Sequence, residues 1–129
     1  MFAKPALPTF IQIEPVGQCN LSCVMCPVHL RDDGPSGPIP LFMPFEQFMS
    51  LLDGFPGLKE LRLQGLAEPM MHPRFFDMVS HADQRGIAVS SNGNMTLREK
   101  EFVESSLSPA SGAGWIRQAT GALRLMRRL

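Results

Sequence analysis

Cysteine is scarce here. The chain has three, Cys19, Cys23 and Cys26, all within eight residues, and none elsewhere in its 129. Pairing them would leave one over and would need an oxidising compartment, which excludes a disulfide framework. There is no uninterrupted apolar stretch able to span a bilayer. There is no secretory signal either: the N-terminus has one lysine and then prolines, with no apolar run before a small-residue cleavage site. These absences read as a cytoplasmic protein with reduced thiols and no membrane partner. Tyrosine is also missing, which by itself points nowhere. Acidic residues stop at Glu104. Up to that point twelve acids outnumber eight basic residues, about −4, whereas residues 105–129 carry Arg117, Arg124, Arg127 and Arg128 and no acid. No basic patch is interleaved with aromatics, so nucleic acid is not an expected partner.

What is present alternates between strand and helix. Thr9 to Glu14 is β-branched and aromatic and is stopped by Pro15 and Gly17, as a strand would be. The cysteine run follows at once, on the loop leaving that strand. Residues 27–40, with four prolines and two glycines around Arg31-Asp32-Asp33, read as a long exposed loop. Pro44 suits the first position of a helix whose Phe45, Phe48, Met49 and Leu52 make one apolar stripe. Glu60 to Gln64 alternates as a second strand, and Gly65 to Pro69 is the loop after it. Pro73 opens a second helix, with Phe75, Phe76, Met78, Val79 and Ala82 on its apolar side and Arg85-Gly86 as its stop. Ile87 to Ser90 is a third strand leading into Ser91-Asn92-Gly93-Asn94. Thr96 and Glu99 have capping-box spacing for a third helix running to about Ser106. Alternation at this spacing predicts an α/β fold with parallel strands, whose function gathers at the strands' C-terminal ends.

Three thiolates in one short loop can converge on a metal centre. A closed 4Fe–4S cluster takes four cysteines, so three leave one iron free. A structural zinc site is the rival reading, with His29, three residues beyond Cys26, as fourth ligand. His72, before a proline at a helix start, is expected to cap rather than catalyse, and His81 to lie on a helix surface.

Cys19-x3-Cys23-x2-Cys26 after strand one, Gln64-Gly65-Leu66-Ala67-Glu68-Pro69 after strand two and Ser90-Ser91-Asn92-Gly93 after strand three resemble, in order, the motifs of the radical S-adenosylmethionine (radical SAM) superfamily. The resemblance covers about residues 9–106. It implies the N-terminal half of a radical SAM core domain, a partial (βα) barrel with three of the usual six units, followed at 107–129 by a basic, poorly ordered tail. Ala67 stands where glycine is common, and Met25 where an aromatic residue often precedes the third cysteine. The chain reads as a truncated or frame-shifted product.

The resemblance implies a 4Fe–4S cluster on Cys19, Cys23 and Cys26, with S-adenosyl-L-methionine (SAM) chelating the free iron. Reductive cleavage would give a 5′-deoxyadenosyl radical, with an electron donor for the cluster and an unknown peptide or small-molecule substrate as partners. Met25, Gly65, Glu68 and Asn92 would contact SAM, and no catalytic residue is expected beyond the cluster ligands. A half-barrel is further expected to expose an apolar sheet face and an open edge, and to be poorly soluble.

Overall fold

The computed structural model describes residues 5–30 and 42–94, with backbone only at His29 and Leu30. Alternation in the central strand sets the architecture. In β2 (Glu60–Leu63), Leu61 and Leu63 are fully buried, whereas Glu60 and Arg62 face out. Strand β1 (Phe10–Ile13) flanks it on one side and β3 (Ala88–Ser90) on the other, in the order β1-β2-β3, and both pairings are parallel. The register pairs Ile11 with Leu61, Leu61 with Val89 and Ile13 with Leu63, which gathers one apolar face.

Two helices cover that face. Helix α1 (Phe45–Asp53), between β1 and β2, buries Phe48 and Leu52. Helix α2 (Phe75–Gln84), between β2 and β3, buries Phe75, Met78, Val79 and Ala82. With Ile13, Leu58, Met70, Ile87 and Val89 these form a single core. Each large side chain sealed there contributes about 1.5–3 kcal/mol. The stripes read from the sequence are therefore the core faces. The helix ends also match their chemistry. Pro44 is the N-cap of α1, one place before its expected position. At the end of α2, Gly86 has φ 74°, its N–H donates to the Asp83 carbonyl at 2.8 Å, and the Ile87 N–H reaches the Ala82 carbonyl at 3.0 Å. That pair of bonds is the Schellman termination, which favours glycine. Arg85 then pins the helix ends together, 2.6 Å from Asp53 Oδ1 and 3.2 Å from the Leu52 carbonyl.

A parallel α/β arrangement is thus observed. The opposite sheet face differs from expectation. It holds Phe10, Gln12, Glu60, Arg62, Ala88 and Ser90, so only Phe10 is a large apolar group, and the Arg62 guanidinium lies 5.7 Å from its ring centroid. The same alternation that fills the core puts polar residues on this face. His81 also departs from expectation. Its half-buried ring meets Phe45 and Phe48 edge-on, and its buried Nε2 has no hydrogen-bond partner among the described residues. Residues 31–40 of the expected loop, the helix expected from Thr96 and the basic tail lie outside the described residues. Among the described residues no helix is long and apolar enough to cross a membrane.

Candidate functional site

Three loops leave the same edge of the sheet, and together they line a cavity of about 300 Å³. The first follows β1. Its two-residue spacing becomes a β-turn: the Cys26 N–H donates to the Cys23 carbonyl at 2.9 Å, which makes the two cysteines the ends of one four-residue turn. Val24 and Met25 occupy the corner and project into solvent, 93% and 96% exposed. Cys19 and Cys26 are half-buried and Cys23 is exposed, and all three line the cavity. Among the described residues no three Cys, His, Asp or Glu side chains are gathered to hold one metal ion. The His29 side chain, the rival reading's fourth ligand, lies outside the described residues.

The second loop follows β2 and presents Gly65, Leu66, Ala67 and Glu68 to the cavity. It is fixed by Glu14, the residue after β1. Glu14 Oε1 accepts the Leu66 N–H at 2.8 Å and the Ala67 N–H at 3.0 Å. The carboxyl group lies so close over Gly65 that any Cβ there would overlap it. The Glu68 N–H donates to the Gln18 carbonyl at 3.1 Å, next to the first cysteine.

Glu68 itself is only 2% exposed. Its Oε1 accepts the Met70 N–H at 3.1 Å, capping the short 3-10 turn Pro69–Met71, and its Oε2 accepts the Asn94 N–H. An acid on a post-strand loop is ordinarily exposed. This one is sealed in place by main-chain donors of two loops.

The third loop follows β3. The Ser91 hydroxyl donates to the Leu63 carbonyl at 2.6 Å, and Asn92, Gly93 and Asn94 line the cavity. Gly93 sits so close to Glu68 that a Cβ would meet Oε1 at 2.7 Å. The Asn94 amide nitrogen lies 2.9 Å from Asn20 Oδ1 and 3.8 Å from Cys19 Sγ.

The structure therefore brings together Cys19, Cys23, Cys26, Gly65, Glu68 and Asn92, and leaves Met25 outside the cavity lining. Reading the sequence missed Glu14 and Asn94. Nothing local marks either, since Glu14 ends a strand and Asn94 stands in a turn where asparagine is common. His72 is used structurally: its Nε2–H donates to the Met43 carbonyl at 2.8 Å and its Nδ1 accepts the Arg74 N–H at 3.0 Å.

A protein of Pyrococcus furiosus, the tungsten-containing aldehyde ferredoxin oxidoreductase cofactor-modifying protein, is 34% identical to this chain over 99 residues. The match covers 74% of this chain and 26% of that protein, so the chain spans about a quarter of its relative's length. No protein-family model matches the chain.

Proposed function

We propose that this edge of the sheet holds a 4Fe–4S cluster on Cys19, Cys23 and Cys26 and binds SAM beside it, as the N-terminal part of a radical SAM enzyme. The observation that carries the reading is the common cavity: three thiols on one wall, with the Gly65–Glu68 and Asn92–Asn94 loops completing it. The donor chemistry fits. A cluster spreads its thiolates over several irons, whereas one tetrahedral zinc with Zn–S near 2.3 Å draws its sulfurs to about 3.8 Å of each other. Three cysteine thiols lining one open cavity are the donor set that such a cluster with one free iron would use.

When bound, such a cluster supplies the single electron for reductive cleavage of SAM. The chain's own residues ligate and orient. Glu68, which lines the cavity and is held by two N–H donors, would accept from the cofactor's ammonium group. Gly65 and Asn92 would lie alongside the cofactor, and Met25, at the solvent-facing corner of the cysteine turn, would reach it only by turning inward. The relative's name, a cofactor-modifying protein, favours a modifying reaction over a purely structural metal site. The whole enzyme's substrate would be bound by parts of the relative's length that this chain does not span.

Anaerobic reconstitution tests the reading. Iron and sulfide should be taken up in about equal amounts, near four of each per chain, and SAM should perturb the EPR spectrum of the reduced protein. A colourless protein holding one zinc, lost in His29→Ala, would instead establish the zinc module.

A further inference from the structure

Asn94 stands where the three loops meet. Its main-chain N–H donates to Glu68 Oε2 on the second loop. Its side-chain amide reaches back to the first loop, with Nδ2 2.9 Å from Asn20 Oδ1 and 3.8 Å from Cys19 Sγ. A thiolate only accepts hydrogen bonds, so it selects the amide nitrogen rather than the amide oxygen. The Leu21 N–H, 3.5 Å away, is a second donor to the same sulfur. Among the described residues neither Cys23 nor Cys26 receives a hydrogen bond at sulfur. Among the described residues the Cys19 sulfur is thus the one of the three that accepts, from Leu21 two residues on and from Asn94, 75 residues away in sequence.

We propose that Asn94 is a positioning residue that orients Cys19 and, through an N–H···S bond, raises the reduction potential of the cluster it helps to hold; this rests on the cluster reading above. Reduction adds negative charge to the cluster and its thiolates. A donor aimed at sulfur stabilises the reduced form more than the oxidised one, and such bonds are among the factors that set cluster potentials. The position suits that task. The amide comes from the loop after β3, so the potential is coupled to the conformation of a loop that also holds Glu68.

The experiment compares wild type, Asn94→Ala and Asn94→Asp. The Asn94 main-chain bond to Glu68 is available to all three, so the loop keeps that anchor. In reconstituted protein with equal iron content, the midpoint potential should move to more negative values in Asn94→Ala and further in Asn94→Asp, which puts an acceptor and a charge against the sulfur. An unchanged potential in Asn94→Ala at full iron content would overturn the inference. A second measurement needs no metal: a double-mutant cycle of Asn94→Ala with Cys19→Ala, read by chemical unfolding of the apo chain. Non-additive unfolding supports the contact, and additive unfolding refutes it. If wild type takes up no cluster, the proposed function falls and the cycle alone decides whether Asn94 braces Cys19.

Discussion

The Glu14 carboxylate, at the exit of β1, lies directly over Gly65, at the exit of β2, and accepts the N–H groups of the two residues that follow it. One side chain thus sets the path of the loop that carries Glu68. A Cβ at residue 65 would have to push this carboxyl group aside and with it the two bonds it accepts.

Gly65→Ala should therefore displace Glu14 and destabilise the fold. Glu14→Ala should cost about 1–2 kcal/mol, below the full value of two charge-assisted hydrogen bonds because the group is exposed. The pair should be non-additive: once Glu14 is an alanine, the added methyl at residue 65 has lost the group it collides with. Chemical unfolding of the two single variants and the double variant checks this, and strict additivity would mean that the two residues do not interact.

Glu68→Gln places an amide where a buried carboxylate accepts two main-chain N–H donors. At most one of these acceptors survives unless the NH₂ turns away. A loss of about 1–3 kcal/mol is expected in the apo chain, visible in its thermal or chemical melt. If stability is unchanged while SAM affinity falls, Glu68 acts on ligand alone and its bracing role is wrong.

Gly86→Ala should cost about 1 kcal/mol, because the residue closes α2 at φ 74° and a β-carbon is disfavoured there. Gly57→Ala is the matched control. A Cβ at that position meets nothing within 4 Å and the backbone is not in the left-handed region, so its effect should be neutral or slightly stabilising. Equal melting temperatures for the two variants would remove the termination argument.

The elements were legible because each has a strong period. Leu61 and Leu63 alternate with charged residues, and Phe48 and Leu52 sit one turn apart. Gly86 behind Arg85 announced its own helix end. The three loops could be placed at one edge because parallel strands send their C-terminal ends the same way. The bonds between the loops were not legible. Glu14 to Leu66 spans 52 positions and Asn94 to Glu68 spans 26, and no local pattern encodes such a partner. For the same reason Glu68 could be singled out, while its burial and its main-chain donors could not. The polar outer sheet face was written in the sequence: Gln12, Glu60 and Arg62 sit at the alternate positions of strands that had been correctly placed. The expectation of an apolar face came from the half-barrel resemblance, and the alternation outweighs it.

Cys19, Cys23 and Cys26 are proposed to act together as cluster ligands. That role is tested most directly by iron and sulfide analysis of anaerobically reconstituted wild type and Cys23→Ala, the variant of the exposed member of the trio. Wild type should hold about four irons and four sulfides per chain, and Cys23→Ala should lose them while keeping the apo melting behaviour. A full complement of iron and sulfide in Cys23→Ala would contradict the account.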